Sequence, residues 1–106
     1  MTETRALAGR LEDFPEGSIT KVELHGQDLV IVCNEGEYHA LPDRCTHERY
    51  PLHDGELDGG RIRCIRHGAT FDLKTGRATL SAIRQIRLFQ TEVAGEELFV
   101  LMQQLP

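Results

Sequence analysis

No tryptophan, no apolar run longer than five residues and no cluster of consecutive basic side chains occur in this chain of 106 residues. Each absence removes a class of function. The two longest apolar runs, Leu29 to Cys33 and Leu98 to Met102, fall far short of the roughly twenty residues that a membrane helix needs. Residues 1–10 mix Glu3, Arg5 and Arg10 among small side chains, unlike the apolar stretch of a secretory signal. A cytoplasmic protein without a membrane partner is expected. The formal charge of −5, from 17 acidic and 12 basic side chains, argues against nucleic acid, whose phosphates call for a basic face. No serine or cysteine stands in a recognisable pairing with a base, and no glycine-rich phosphate loop occurs, so catalysis by the chain alone is not expected. Three cysteines cannot all pair, and a reducing compartment disfavours disulfides in any case. With five histidines beside them, they point to metal.

The composition is that of a folded domain, with 40% hydrophobic and 27% charged residues, and the length allows one core. No repeat or linker divides the chain. Thr20, Val22 and Leu24 alternate with Lys21, Glu23 and His25, the period of a half-buried strand. Turn residues at Gly26 to Asp28 lead into Leu29 to Cys33, and Asn34-Glu35-Gly36 leads into Glu37 to Leu41. Asp58-Gly59-Gly60, Lys74-Thr75-Gly76 and Ala94-Gly95 separate further short strands at Arg61 to Cys64, Thr70 to Leu73, Arg87 to Val93 and Glu97 to Met102. Such spacing predicts an all-β sandwich or barrel. One helical turn is expected at Leu11 to Phe14, stopped by Pro15 and Gly17. Residues 43–56, with Pro51 and Gly55, follow neither period and read as an ordered loop, the kind of segment that carries sites.

Within that loop stands Cys45-Thr46-His47, and sixteen residues separate His47 from Cys64-Ile65-Arg66-His67. Two thiolates and two imidazoles suit a tetrahedral zinc site. Zinc fingers, however, pair cysteine with cysteine and histidine with histidine at short spacing. Here each short segment contributes one of each, which suits a binuclear cluster with thiolates on one iron and imidazoles on the other.

With these ligand pairs, Gly68, Phe71-Asp72-Leu73 and Thr75-Gly76, and more weakly Tyr38-His39-Ala40-Leu41, the sequence resembles the Rieske 2Fe-2S family. The resemblance implies an all-β fold of stacked antiparallel sheets, a β-sandwich forming a single domain over residues 1–106. A small cluster-binding subdomain of about residues 43–80 would be inserted in it. It implies one 2Fe-2S cluster per chain, held by Cys45, His47, Cys64 and His67, with the histidines on the outer iron and Thr46, Tyr50, Gly68 and Phe71 around it. Two ferric ions, two sulfides and two thiolates sum to a neutral oxidised cluster. An electron is therefore accepted more readily than by a four-thiolate cluster: Rieske potentials span roughly −150 to +300 mV, against about −400 mV for plant-type ferredoxins.

At 106 residues the chain is not expected to carry the mononuclear-iron domain of a terminal oxygenase. What remains resembles the small soluble ferredoxins that carry single electrons from a flavin-dependent reductase to a terminal oxygenase with Rieske and mononuclear iron centres. Such a carrier is expected to be monomeric and to release its electron through His47 or His67. The alternatives are a small Rieske subunit of another reductase system, nitrite-reductase-like, and a redox-sensing or zinc-stabilised module. High-potential relatives have a loop disulfide where this chain has Tyr50 and Arg66, and hydroxyls where it has Ala69 and Phe71, so a potential toward the low end is expected. Ile65 and Arg66 replace the proline and apolar residue usual after the second cysteine, and Leu80 to Ile86 contains no proline. Arg44, Arg49 and Arg66 would give an acidic protein a basic tip, suited to docking on an acidic partner. Cys33, in an apolar strand, is expected in the core. His25 and His39 are expected to serve surface or hydrogen-bonding roles, and His53, in the ligand loop near the tip, to be a bystander.

Overall fold

The computed structural model describes residues 2–44, 51–64, 69–79 and 84–104. Among these residues there are nine strands and no α-helix: β1 (Thr2–Arg10), β2 (Ile19–Leu24), β3 (Gln27–Asn34), β4 (Glu37–Pro42), β5 (Glu56–Asp58), β6 (Arg61–Arg63), β7 (Thr70–Asp72), β8 (Thr91–Ala94) and β9 (Glu97–Gln104). They form three antiparallel sheets, ordered β1-β9-β8, β2-β3-β4 and β5-β6-β7. Two-residue loops close the middle sheet. His25-Gly26 and Glu35-Gly36 both have positive φ, at 51° and 77° and at 54° and 77°, the backbone hand that matches strand twist in tight hairpins. His25 thus belongs to a turn rather than to the end of a strand.

Leu29 to Cys33 are all buried because β3 is covered on both faces. Leu29 and Ile31 pack with Ala6, Phe14, Leu24, Ala40, Phe89, Leu98, Val100 and Met102, the core shared with β1 and β9. Val30 and Val32 point the other way, into a core with Leu41, Leu52, Ile62, Cys64, Ala69, Phe71, Leu73 and Ile86. Alternation persists along β3, but both destinations are apolar. Each such side chain contributes about 1.5–3 kcal/mol when removed from water.

Sheet β5-β6-β7 therefore lacks a core of its own and uses one face of the middle sheet. The expected turn at Leu11 to Phe14 is a 3-10 helix over Leu11–Asp13. A strand over Arg87 to Val93 does not form as one piece. Phe89 donates its N–H to the Ala40 carbonyl at 2.9 Å and bridges only that residue, whereas Thr91 onward pairs with β9. The chain crosses there from one sheet to the next.

Candidate metal centre

Cys64 follows β6 directly. It is fully buried, and its N–H donates to the Ala69 carbonyl at 2.7 Å. That bond pairs the residues on either side of residues 65–68. β7 continues it, with Ile62 opposite Phe71 and Arg63 opposite Thr70. The Thr70 hydroxyl bonds the Thr79 hydroxyl at 3.1 Å, and the Thr79 N–H returns to the Thr70 carbonyl at 3.0 Å. This end of the second ligand segment is thus built from buried backbone pairing, with Phe71 beneath it.

The first segment is closed differently. Asp43 leaves β4 with its N–H on the Asp28 carbonyl at 3.0 Å. Its carboxylate takes two hydrogen bonds from His53: the backbone N–H reaches Oδ1 at 2.7 Å, and Nδ1 lies 2.6 Å from Oδ2. A carboxylate only accepts, so Nδ1 carries the proton. Next to this pair, Leu52 is fully buried in the same core as Cys64. The two segments are rooted in one apolar cluster, although β4 and β6 belong to different sheets.

A third stretch is anchored beside them. The Ile86 N–H donates to the Gly76 carbonyl at 2.8 Å, and Gln85 Nε2 donates to the Thr75 carbonyl at 2.8 Å. Gly76 has φ +79°, and a Cβ there would lie 2.2 Å from the Ile86 carbonyl oxygen. Only glycine lets these backbones meet.

Of the sequence-derived site residues, Cys64, Phe71 and Arg44 lie within the described structure. Cys64 and Phe71 are in contact with one core, and Arg44 is exposed beside Asp43. Cys45, Thr46, His47, Arg49, Tyr50, Arg66, His67 and Gly68 lie outside the described residues. Among the described residues no group of three or more His, Cys, Asp or Glu side chains could hold a metal ion.

Whether the donor set fits a cluster turns on the cysteines. Cys33 and Cys64 are both free thiols. Cys33 is buried at the end of β3, and its Sγ lies 3.7 Å from Glu16 Oε1. Burial, reinforced by the Glu16 charge, pushes the Cys33 thiol up, and Cys33 sits at the end of β3 as a core cysteine. Cys64 instead sits at a pinned hairpin base inside an apolar cluster, the setting expected of a thiolate on the buried side of an iron-sulfur centre. Of the four proposed ligands, Cys64 is the one within the described residues, and its setting fits the group.

His39 is half-buried on β4, and burial holds its imidazole below the usual range. His53, expected to be a bystander, is hydrogen-bonded as the partner of Asp43. The sequence reading missed that pair, because an aspartate and a histidine ten residues apart in an irregular loop carry no periodic signal.

Comparison with known proteins points to a Rieske-type 2Fe-2S cluster. The family model described as the Rieske 2Fe-2S domain matches residues 4–90, which include all four proposed ligands. The ferredoxin component of the naphthalene 1,2-dioxygenase system of Pseudomonas aeruginosa is 34% identical over 101 residues, covering 94% of this chain and 97% of that protein. The ferredoxin of carbazole 1,9a-dioxygenase from Nocardioides aromaticivorans IC177 superposes with a TM-score of 0.82 at 25% identity, over 94% of this chain and 97% of its own. A chain in the solved complex of reduced oxygenase and oxidized ferredoxin in carbazole 1,9a-dioxygenase matches with a TM-score of 0.83 at 30% identity, over 91% of each chain.

Proposed function

The chain belongs to the Rieske 2Fe-2S domain family, and from that premise we propose that it is the ferredoxin component of a ring-hydroxylating oxygenase system. It is a one-electron carrier, not a catalyst. The observation that carries this reading is near end-to-end similarity to proteins that are themselves ferredoxin components. When bound, the cluster supplies a one-electron couple.

The chain's residues do the rest. Cys45 and Cys64 bind as thiolates and must lose their protons, while His47 and His67 bind as neutral imidazoles. Thr46, Tyr50, Gly68 and Phe71 line the cluster. Of these, Phe71 is buried with Ala69 on the Cys64 side, and neither brings a hydroxyl. The hydroxyls of Thr70 and Thr79 are occupied with each other. With no hydroxyl at Ala69 or Phe71 to stabilise added negative charge, the potential lies toward the low end of the Rieske range, roughly −150 to +300 mV. A redox titration giving a value well above zero would contradict this.

The chain acts as one domain over residues 1–106, with residues 43–80 as the part that carries the cluster. It works as a cytoplasmic monomer between a flavin-dependent reductase and a terminal oxygenase bearing Rieske and mononuclear iron centres. The oxygenase side of this reading is supported by a structural relative solved in complex with its oxygenase. Electrons pass through His47 or His67, and Arg44, Arg49 and Arg66 steer the tip onto an acidic surface.

Iron and sulfide analysis with low-temperature EPR tests the cofactor; a colourless, zinc-loaded protein from iron-replete cells sinks the reading. Stopped-flow oxidation by a candidate oxygenase tests the role. Reversing Arg44, Arg49 and Arg66 to glutamate is expected to slow transfer and flatten its salt dependence. No change in either would show that the arginines are merely solvated.

A further inference from the structure

Asp43 and His53 form the most buried charged contact described in the molecule's loop region, and nothing in electron transfer as such requires it. The Asp43 side chain is only 3% exposed, and His53 is 34% exposed. Both carboxylate oxygens are spent on one residue, one on its backbone and one on its ring. The Asp43 backbone is itself fixed to β3 through Asp28, and the residue before His53, Leu52, is buried in the Cys64 core. The clamp therefore joins two anchored points, and everything between them, including Cys45 and His47, begins and ends at it.

We infer that Asp43 is a positioning residue for the first ligand segment, closing residues 44–52 at their mouth so that Cys45 and His47 are held for the cluster that Cys64 receives. This rests on the reading of Cys45 and His47 as ligands. The physical effect is preorganisation: a segment already closed loses less conformational freedom when its ligands bind. A charge-assisted pair in a nearly dry setting is stronger than a surface one.

A second carboxylate provides an internal control. Glu16 also uses both oxygens, on the N–H groups of Glu35 at 2.7 Å and Gly36 at 2.9 Å. It closes the β3–β4 turn, far along the chain from either ligand segment. Its loss should disturb the fold without disturbing the cluster.

The test uses the purified cluster-bearing protein and follows visible absorbance after mixing with an iron chelator, with EPR of the reduced state and the thermal midpoint measured in parallel. Asp43→Ala is expected to release the cluster about tenfold faster or more, the effect of losing one charge-assisted interaction, and to broaden the EPR lines. Asp43→Asn keeps an acceptor for the His53 N–H and should restore release to within about threefold of wild type. His53→Leu, which keeps the backbone bond and loses the ring bond, should fall between them and serves if Asp43→Ala does not fold. Glu16→Ala should lower the thermal midpoint with release within about threefold of wild type. Unchanged release and EPR in both Asp43→Ala and His53→Leu would overturn the inference, as would an equal acceleration in Glu16→Ala. Absence of a cluster from the wild-type protein would instead overturn the functional reading beneath it.

Discussion

The stretch from residue 43 to 90 and the rest of the chain are built on different terms. The rest comprises the long strands, β1, β3 and β9 with nine, eight and eight residues, joined by tight hairpins and an apolar core. It has three Lys/Arg against eleven Asp/Glu, a net −8. Residues 43–90 have nine Lys/Arg against six Asp/Glu, a net +3. Their described strands have three residues each, and side chains do the pinning: Asp43 on His53, Thr70 on Thr79, and Asp72 on the N–H groups of Lys74 at 2.8 Å and Thr75 at 3.1 Å. The sandwich part can be stable from burial alone. The inserted part has short ladders and draws on the sandwich's sheet for its core, so it is expected to depend on bonds to the proposed cluster.

The largest expected effect follows from removing such a bond. Cys64→Ser should abolish the cluster, read as loss of iron and of visible absorbance. Amide exchange should then accelerate in residues 51–64 and 69–79 while Leu98 to Met102 stay protected. Equal acceleration in β9 would break the comparison, because it would make the cluster a support of the whole fold.

Next in size is a cavity on the sandwich side. Ile31 is fully buried in the core with Leu98 and Val100, and Ile31→Ala should cost about 2–5 kcal/mol in urea unfolding. Cluster absorbance should survive until the global transition. If the cluster is lost well before that transition, the two faces of β3 are more tightly coupled than their separate cores indicate.

These two regions also differ in how far the sequence reveals them. β3 and β9 were legible because five consecutive apolar residues in a chain with few helix signals leave little choice, and the segments proposed as ligands stood out because C-x-H and C-x-x-H are local patterns. β1 was not anticipated. Thr4 to Gly9 has mostly small side chains without clear alternation, and its strand exists because β9 offers a partner along its whole length, Thr2 opposite Gln104 through Arg10 opposite Glu97. The Asp43–His53 clamp was equally hidden, being a tertiary contact between two common residues. The sharing of β3 by two cores was half visible: the run was plainly buried, but which elements cover each face depends on register and on the crossover at Phe89.

The smallest expected effect concerns His39, which sits on β4 and lines one cleft with Leu73 and Lys74 of the inserted part. Burial is the largest influence on it and holds its imidazole below the ordinary 6.5; Glu37 and Asp72 oppose that and Lys74 adds to it. The fold therefore favours neutral His39, while the unfolded chain takes up a proton at the usual value. Above pH 6.5 both states are neutral and this contribution to stability is fully present; as pH falls below 6.5 the unfolded state binds the proton first and stability declines. Urea unfolding of the cluster-bearing protein should show a loss between pH 7.5 and 5.5 that is smaller in His39→Gln, which keeps a polar side chain of similar size that does not titrate. The difference should be modest, because the ring is only half-buried and opposing charges stand nearby. Identical losses in the two proteins would mean that the joint between sandwich and insert is indifferent to charge, and that burial of apolar side chains alone holds the two together.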